Sequence, residues 1–511
     1  MLKKVLGLLF CSIFILSLYT CSGVSADDAS LSSLTISVGT LTPTFNKETL
    51  SYVARVPITT YSVTVTATAT ASINALINVN GLPAISGKES AAVTLTAGDN
   101  LIEIKVKSAN RDKTLTYVVN VTKSISDLEA IIRGNDTGNS DKFGWSIACD
   151  GTTLVVGAPG APGGSGPGAV YVFNKSSSGW GQTQKLTASG GSTGDLFGWS
   201  VALDNNTIAV GAPHKDYDGT DVNSGAVYIF TESGNTWSQQ AMKESSDPCF
   251  AYYFGWSVSL NGGTLAVGEP DSALSGTACS HGPIGGGYYG TVHIFTGSGA
   301  SWTHQAALQA TDSAPNSYFG ESNSMDSETL AVGARGDLSA GSVYIFTGAS
   351  NSWAQQAKLR AASPSINANF GYSVSLSGFR LVIGAPNEST SAPNSGATYL
   401  FSGSGATWQQ AGNAIKAATP TANDYLGSSV NINGNIFVLG APGAQTPAKV
   451  GSIAVYAKKD LFVWSQVGDP LVPTETTFAR FGQSVAVTDT ELFIGADNYD
   501  GDGSGAVYIY H

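Results

Sequence analysis

Two short acidic stretches of the chain carry the side chains best suited to bind a cation. They are Asp216, Asp218 and Asp221 in the first stretch, and Asp497, Asp500 and Asp502 in the second. Clustered carboxylates together with backbone carbonyls are the oxygen ligands that Ca²⁺ prefers. Aspartate beside glycine is equally common in turns that hold no ion, and neither spacing is that of an EF-hand loop. Both interpretations stay open, and calcium is the one cofactor that the sequence suggests.

Tyrosines occur in the same stretches and in other predicted loops. Those selected as candidates are Tyr217, Tyr288, Tyr289 and Tyr499, and Tyr252 and Tyr253 lie in the same region of the chain. Aromatic rings on loops stack on sugar rings or anchor a protein partner, and the alternative is that they pack beneath the loops. The predicted ligand-binding set is therefore Asp216, Tyr217, Asp218, Asp221, Tyr288, Tyr289, Tyr499, Asp500 and Asp502.

Evidence for catalysis in the sequence is thin. The string from Gly190 to Gly194 fits a nucleophile elbow but lacks the strand-turn-helix context that such an elbow requires. Five histidines occur without metal-ligand spacing, and no phosphate-binding glycine loop precedes a helix. The chain is predicted not to be an enzyme, and no catalytic residue is proposed from the sequence.

Composition limits the classes of partner. The chain has 511 residues, 12% of them charged, and a formal net charge of −12. An acidic chain of this kind is not a nucleic-acid binder, because such proteins carry clustered basic residues that neutralise phosphates. The single long apolar run lies at the N-terminus, so a multispanning membrane protein is excluded.

The N-terminus is predicted to direct export. Lys3 and Lys4 precede an apolar run that ends before a small-residue cleavage site, which makes residues 1–26 a signal peptide. Alternatively, the segment from Leu18 to Cys21 acts as a lipoprotein signal and Cys21 is lipidated. Either route places the protein outside the cytoplasm, secreted or at the cell surface or outer membrane. It would meet a membrane only through this lipid anchor.

The elements that would position the candidate residues are repeated units. Each unit opens with an aromatic or leucine residue followed by glycine. These pairs are Phe143-Gly144, Phe197-Gly198, Phe254-Gly255, Phe319-Gly320, Phe370-Gly371, Leu426-Gly427 and Phe481-Gly482. Alternation from Phe254 to Leu260 predicts a first strand, and three further apolar runs predict four strands in each unit. Seven such units predict an all-β fold, a seven-bladed β-propeller.

The ends of the chain suggest how this propeller closes. The last unit stops after its third strand, at residues 507–511. The segment near 128–133, before the first unit, looks like the fourth strand of the other units. We therefore expect this segment to complete the seventh blade, which would remove an open sheet edge.

The Phe-Gly units resemble FG-GAP repeats, the units of the integrin α-chain propeller and of bacterial surface proteins, over residues 125–511. The resemblance implies a propeller that binds partners outside the cell. Integrin-type repeats often carry a calcium loop between the first two strands, but here that link is short, as from Leu203 to Thr207. The usual calcium sites of the family are therefore not expected. Arg335-Gly336-Asp337 spells an integrin ligand motif and is interpreted as a coincidence.

Residues 30–123 have a different composition, rich in threonine, valine and serine. Short alternating runs separated by turn signals predict a small β-sandwich. The run from Leu31 to Phe45, with Tyr52 and Tyr117, resembles a bacterial cadherin-like, or immunoglobulin-like, β-sandwich domain. This resemblance implies a spacer or adhesion module.

In a four-stranded blade, the loops between strands two and three share one face with the links between blades. This upper face carries the longer loops, which is typical of a functional surface. Cys249 and Cys279 fall on it within one unit and are predicted to form a disulfide. The sequence thus predicts an extracytoplasmic binding or adhesion protein whose upper-face loops bind a protein or a glycan. The alternatives are a hydrolase or lyase acting on polysaccharide, and a structural component of the envelope.

Overall fold

A computed structural model describes most of the chain beyond the N-terminal segment. The described residues are 26–57, 60–71, 74–95, 98–123, 128–216, 223–245, 252–272, 287–349, 351–444, 450–458, 464–473 and 479–511. The chain divides into two compact units, the first extending to Val121 and the second formed mainly by Thr122–His511. All regular elements in the described ranges are β-strands except two short 3-10 helices, so the predicted all-β class is confirmed.

The first unit contains ten strands in three sheets. The strands are β1 (Leu31–Ile36), β2 (Leu41–Thr42), β3 (Ser51–Val56), β4 (Ser62–Val63), β5 (Val65–Ala69), β6 (Leu76–Val79), β7 (Leu82–Ala84), β8 (Val93–Thr94), β9 (Gly98–Lys107) and β10 (Thr114–Lys123). The largest sheet has the order β2-β3-β10-β9-β6-β7, and the pairs β1-β5 and β4-β8 form the other two.

The core of the first unit is organised around a buried tyrosine on β10. The Tyr117 hydroxyl accepts a hydrogen bond from the Leu31 amide at 3.0 Å and donates one to the Lys47 carbonyl at 3.0 Å. Its ring lies 6.4 Å from that of Phe45. This side chain therefore links the six-stranded sheet to β1, and its polar atom is satisfied inside the core.

The described residues of the second unit form seven four-stranded antiparallel sheets. Its first strand is β11 (Leu128–Ile132), which precedes sheet 1 in the chain. Sheet 1 consists of β12 (Ser146–Cys149), β13 (Thr153–Ala158), β14 (Ala169–Ser176) and β15 (Gly179–Leu186). Sheet 2 consists of β16 (Ser200–Asp204), β17 (Thr207–Ala212), β18 (Ala226–Ser233) and β19 (Thr236–Glu244). Sheet 3 consists of β20 (Ser257–Asn261), β21 (Thr264–Glu269), β22 (Thr291–Ser298) and β23 (Ser301–Leu308).

Sheets 4 to 7 continue the pattern. Sheet 4 consists of β24 (Phe319–Asp326), β25 (Thr329–Ala334), β26 (Ser342–Ala349) and β27 (Ser352–Leu359), and sheet 5 of β28 (Ser373–Ser377), β29 (Arg380–Ala385), β30 (Ala397–Ser404) and β31 (Thr407–Gln410). Sheet 6 consists of β32 (Ser429–Asn433), β33 (Ile436–Ala441), β34 (Ser452–Lys458) and β35 (Trp464–Gln466). Sheet 7 consists of β36 (Ser484–Val487), β37 (Leu492–Ala496) and β38 (Ala506–Tyr510) together with β11. The 3-10 helices are Asp337–Ser339 and Tyr499–Gly501.

The sequence-predicted first strand of sheet 3 is longer than the observed one. The prediction began it at Phe254, whereas β20 begins at Ser257. Gly255 has φ +91° and Tyr253 has φ +57°, so the chain turns at this pair instead of running extended. Phe254 is buried and fixes the turn against the core. The Phe-Gly pair of sheet 3 is therefore a turn that precedes its strand, and the alternation across it was misleading.

Neighbouring sheets of the second unit approach each other at paired glycines. A Cβ atom added to Gly211 would lie 2.0 Å from the Gly255 carbonyl oxygen, which no side chain tolerates. Beside this contact, Ser200 Oγ donates to the same oxygen at 2.8 Å. The equivalent serines donate over 2.7 to 2.9 Å, in the pairs Ser146–Gly198, Ser257–Gly320, Ser322–Gly371, Ser373–Gly427, Ser429–Gly482 and Ser484–Gly144.

The seventh sheet is assembled from both ends of the second unit. β11 pairs antiparallel with β38, with Leu128 opposite Tyr510 and Ile132 opposite Val507. Against sheet 1, buried Glu491 accepts from Trp180 Nε1 at 2.9 Å and pairs with Lys175 Nζ at 2.7 Å. β36 also contacts β12. Sheets 7 and 1 are therefore joined by packing, by hydrogen bonds and by an ion pair.

Candidate functional site

The turn at each Phe-Gly pair presents two side chains, one immediately before the pair and one immediately after it. We call these the flanking positions. The residue before the pair has a positive φ in all seven sheets: Lys142, Leu196, Tyr253, Tyr318, Asn369, Tyr425 and Arg480. The residue after the pair varies: Trp145, Trp199, Trp256, Glu321, Tyr372, Ser428 and Gln483. Residues other than glycine rarely adopt positive φ, so the buried pair imposes this conformation and fixes where the flanking side chains lie.

Three of these flanking residues form a continuous aromatic row across sheets 1 to 3. The ring centroids of Trp145 and Trp199 lie 4.6 Å apart, and those of Trp199 and Trp256 lie 4.7 Å apart. All three side chains are only half-buried. A row of contacting, partly exposed indoles is a contiguous apolar strip that is positioned by backbone turns. We call it the tryptophan row.

Polar and aromatic groups extend the tryptophan row at both ends. At one end, Lys142 Nζ lies 5.1 Å from the ring centroid of Trp145. At the other, the Tyr253 ring lies 5.8 Å from that of Trp256 and 5.2 Å from that of His214. Burial lowers the pKa of His214, so the imidazole is neutral at pH 7. The row therefore has a cation at one end and a neutral ring at the other.

Sheet 4 places an acidic group next to the row. Glu321 is buried, and its Oε2 lies 2.6 Å from Arg335 Nε. Burial raises the pKa of Glu321 to about 7, with Arg335 acting in the opposite direction. Burial likewise raises the pKa of Asp271 to about 6. The guanidinium of Arg335 also lies 4.8 Å from the ring centroid of Tyr318, so it is held between the carboxylate and an aromatic face.

Sheets 5 to 7 enclose a pocket of about 550 Å³ with a different lining. The flanking residues Tyr372, Tyr425, Gln483 and Arg480 contribute to its wall. Arg480 donates from Nη1 to Asp497 Oδ2 at 2.9 Å and from Nη2 to Gln483 Oε1 at 2.8 Å. Burial raises the pKa of Asp497, and Arg480 opposes this shift. The pocket therefore combines aromatic and polar groups, and Asp497 pairs with the charge of Arg480.

The aspartates predicted from the sequence serve local structure where the structure describes them. Asp216 Oδ1 accepts a hydrogen bond from the Asn223 amide at 3.0 Å. Asp502 Oδ1 accepts one from the Ser504 amide at 2.8 Å, and this bond lowers the pKa of Asp502. Asp497 pairs with Arg480 as described above. In the described part of the chain, no group of three or more His, Cys, Asp or Glu side chains is arranged to hold a metal ion.

The predicted tyrosines are separated from one another. The Tyr288 ring stacks on Tyr318, with 5.7 Å between centroids. Tyr289 contributes its carbonyl, which accepts from Ser317 Oγ at 2.8 Å. The Tyr499 ring lies 3.9 Å from the guanidinium of Arg133 and contacts the core of sheet 7. Tyr288 thus adjoins sheet 4 of the candidate surface, whereas Tyr499 packs against sheet 7.

Several predicted residues lie outside the described part of the chain. These are Cys21 and the rest of residues 1–25, Tyr217, Asp218, Asp221, Cys249 and Cys279, together with the side chain of Asp500. The signal peptide, the lipidation, the disulfide and the calcium sites accordingly stay predictions. Cys149, which is described, is a half-buried free thiol whose pKa is raised by burial to about 12.

The integrin-like tripeptide serves the fold of sheet 4. Arg335 is held by Glu321, and Asp337 is buried. Asp337 Oδ2 accepts from Ser342 Oγ at 2.6 Å and pairs with Lys358 Nζ at 2.7 Å. Its carboxylate is thus engaged inside the protein.

Sequence reasoning missed the flanking positions, although a signal for them was present. When the seven repeats are aligned on the Phe-Gly pair, the pair and the serine two residues after it are nearly constant, while the residues on both sides of the pair change. Constant positions in a repeat serve packing. Variation at positions held by a rigid turn marks residues that are free to serve binding.

Comparison with protein families identifies both kinds of module in this chain. The family described as FG-GAP repeat matches residues 127–173, 180–230, 302–346 and 353–401. The family described as cadherin-like beta sandwich domain matches residues 31–124. Both resemblances predicted from the sequence are confirmed, and together they indicate a binding or adhesive role in general. The search of curated proteins returned no match. Within the described residues, no helix has the length and apolar character needed to cross a membrane.

Proposed function

We propose that this chain, which carries FG-GAP repeats behind a cadherin-like β-sandwich domain, is an extracytoplasmic binding protein without catalytic activity. Its seven four-stranded sheets would form a closed seven-bladed propeller. The ligand, a protein or a glycan, would bind at the surface formed by the flanking positions. The β-sandwich would act as a spacer or as a second adhesive module.

The hydrogen bonds between sheets support the closed propeller. Each sheet donates from a serine hydroxyl to the glycine carbonyl of the next sheet in the chain. The seventh bond, from Ser484 to Gly144 at 2.7 Å, returns to sheet 1. A set of equivalent contacts that returns to its starting point is the arrangement expected of blades around a common axis.

The tryptophan row is the observation that carries the proposed function. Fully buried aromatic residues in this protein lie on the strands and in the Phe-Gly pairs, where they pack the cores between sheets. Trp145, Trp199 and Trp256 instead remain half-exposed while touching one another. Tryptophan is enriched in the residues that dominate binding energy at interfaces, and contiguous exposed apolar surface marks interaction sites.

The location outside the cytoplasm rests on the predicted export signal. Lys3, Lys4 and the apolar run that follows them have the pattern of a secretory signal. FG-GAP and cadherin-like modules suit the same location. Lipidation at Cys21 would hold the protein at a membrane, and cleavage after residue 26 would release it.

A second candidate function, hydrolysis of a polysaccharide, is favoured by one observation in sheet 4. Glu321 and Asp271 both have pKa values raised by burial, to about 7 and about 6, beside the tryptophan row. An acid that stays protonated near neutral pH is what glycoside hydrolysis requires. Arg335, however, already engages Glu321 at 2.6 Å, as in a structural ion pair. Release of reducing ends from polysaccharide, abolished by Glu321→Gln, would favour this second function.

The proposed function is tested by binding to an array of extracellular-matrix proteins and glycans. Wild-type protein should give saturable binding to at least one class, and Trp199→Ala should lose it. The matched control is Phe379→Ala, because Phe379 is 73% exposed on a hairpin at the opposite end of its sheet. This control should bind like wild type. Absence of saturable binding to every probe would contradict the proposal, as would equal binding by Trp199→Ala.

A further inference from the structure

The pocket of sheets 5 to 7 combines ring-sized aromatic surface with amide groups. Tyr372 and Tyr425 contribute phenol rings to its wall, and Asn387, Asn498 and Gln483 contribute side-chain amides. Asn387 already accepts from Asn369 and donates to Asn394. Gln483 Oε1 accepts from Arg480. An amide has two N–H groups and two acceptor lone pairs, so each keeps capacity to pair with a hydroxyl. Pockets that combine aromatic walls with a few fixed polar groups bind small rings whose edges are polar and whose faces are not.

The charges around this pocket disfavour a strongly ionic ligand. Arg480 alone carries a charge among the described residues that line the pocket. Asp497 pairs with it at 2.9 Å, and Gln483 takes a second hydrogen bond from the same guanidinium. An acidic ligand would have to compete with Asp497 and approach a chain of net charge −12. For a cationic ligand, the described part of the pocket wall offers no carboxylate that is free of an arginine partner.

We infer that this pocket binds one sugar ring of an uncharged glycan, with the tyrosines against the ring and the amides on its hydroxyls. This inference rests on the proposed function and specifies its ligand as a carbohydrate. A sugar ring has a face of C–H groups and an edge of hydroxyls, which matches this lining. A pocket of about 550 Å³ is ample for one such ring with part of its neighbour.

The tryptophan row continues the same surface from the pocket towards sheet 3. Gln483 in the pocket belongs to the turn before β36, and Trp145 belongs to the turn before β12, and these two strands are in contact. Ser484, next to Gln483, bonds to Gly144, next to Trp145, at 2.7 Å. A glycan that extends beyond one ring can therefore reach the indoles and stack on them. A chain of several sugars should bind more tightly than a single sugar.

The pocket and the tryptophan row are both rigid, and this favours binding of a flexible ligand such as a glycan. The pocket residues Tyr425 and Arg480 sit on backbone with φ +57° and φ +53°, held by the buried Leu426-Gly427 and Phe481-Gly482 pairs. Side chains fixed before binding lose little conformational entropy when a ligand arrives. Stacking and hydrogen bonding to a flexible sugar chain then retain more of their favourable energy.

The experiment is calorimetric titration of the full protein with neutral hexasaccharides: cellohexaose, maltohexaose, laminarihexaose and hexa-N-acetylchitohexaose. Hexagalacturonate serves as the acidic probe. At least one neutral probe should bind more tightly than its monosaccharide and more tightly than the acidic probe. Tyr425→Ala and Gln483→Ala should each weaken that binding tenfold or more. Gln356→Ala is the matched control, because Gln356 lies on the outer strand β27 of sheet 4, and it should bind like wild type.

The outcomes separate this inference from the proposed function. Neutral hexasaccharide binding that is unchanged in both pocket variants would overturn the pocket assignment. Binding of an array protein that depends on Trp199, with no binding of any hexasaccharide, would overturn the carbohydrate ligand and leave the proposed function standing. Preference for the acidic probe would overturn the uncharged class. No ligand in either experiment would contradict both proposals. Gln483→Ala removes a polar side chain at a half-buried site, and it keeps the test valid if Tyr425→Ala does not fold.

Discussion

The two halves of the candidate surface are built on one backbone turn and differ in chemistry. In sheets 1 to 3 the residue after the Phe-Gly pair is tryptophan, and in sheets 5 to 7 it is Tyr372, Ser428 or Gln483. The phenylalanine or leucine is buried and the glycine has φ near +90° in both halves. The pair and its serine are therefore shared by both halves. The flanking residues differ on the same turn, giving an indole row in one half and a pocket of mixed polarity in the other.

The largest predicted effect concerns the glycine contacts that both halves share. Gly211→Ala would place a Cβ atom 2.0 Å from the Gly255 carbonyl, so sheets 2 and 3 would have to separate. We expect a loss of more than about 4 kcal/mol in the free energy of unfolding. Denaturant titration followed by tryptophan fluorescence measures it, since all nine tryptophans lie in the second unit.

The control for this change is Gly181→Ala on β15. Gly181 has no heavy atom within 4 Å of an added Cβ and no positive φ. Its substitution should change the free energy of unfolding by less than about 0.5 kcal/mol. Equal effects of the two substitutions would show that close glycine packing does not hold neighbouring sheets together.

The next effect concerns the contact between sheet 7, which contributes to the pocket, and sheet 1, which carries the first tryptophan of the row. Glu491→Ala would leave Lys175 and the Trp180 indole N–H without their partner between sheets 7 and 1. We expect destabilisation of up to about 3 kcal/mol, because Glu491 is buried and its loss leaves the indole N–H and the partly exposed ammonium without this carboxylate. Exposed Glu328, in the corresponding hairpin of sheet 4, provides the control Glu328→Ala, which should be nearly neutral. Similar unfolding midpoints for both variants would show that Glu491 does not stabilise the contact between sheets 7 and 1.

A smaller, pH-dependent effect is expected at Glu321, on the other boundary between the halves. Burial raises the pKa of Glu321 from 4.5 to about 7. The folded protein therefore binds more protons than the unfolded chain between these values, and stability falls as pH rises through this window. Between pH 5 and pH 8 the loss of stability should come to roughly 2.5 kcal/mol. Asp271, with a pKa raised to about 6, acts in the same direction.

Glu321→Gln should remove most of this pH dependence. Unfolding free energies measured at pH 5 and pH 8 should differ less in the variant than in wild type. The remainder should come from Asp271, which Asp271→Asn tests. A pH dependence of unchanged size in Glu321→Gln would show that this carboxyl group is not responsible.

The smallest expected effect is that of calcium removal. Asp216 and Asp502 already accept backbone amide hydrogen bonds in their loops. We therefore expect chelation with EDTA to shift the melting temperature by no more than about 1 °C and to leave ligand binding unchanged. A shift of several degrees, abolished in Asp216→Asn or Asp502→Asn, would instead support the calcium sites suggested by the sequence.

The repeats allowed the fold to be anticipated much better than the candidate site. Recurrent Phe-Gly pairs and apolar runs predicted four-stranded units, and the structure has seven four-stranded sheets. Resemblance between residues 128–133 and the fourth strands suggested the pairing partner of the C-terminal strand, and β11 pairs with β38. Such features follow from local alternation and repetition, which a single sequence displays directly.

The site was less predictable because loop length and residue type were weighed above position. Asp502 and Tyr499 attracted attention as loop residues, yet in the structure Asp502 caps its own turn and Tyr499 packs on Arg133. Trp256 was treated as part of a predicted strand. That the turn at Phe254-Gly255 brings it against Trp199 depends on contacts between sheets, which alternation along one strand does not reveal.

The central claim is that the flanking residues, held by the Phe-Gly turns, form the ligand-binding surface. The most direct test is the dissociation constant of the best array ligand for wild type, Trp199→Ala and Phe379→Ala. The account predicts a loss of about 2 kcal/mol, roughly thirtyfold in affinity, for Trp199→Ala alone, with unfolding midpoints comparable in all three proteins. If Trp199→Ala binds the ligand with an affinity within twofold of wild type, the claim is contradicted, and the long loops become the favoured binding surface.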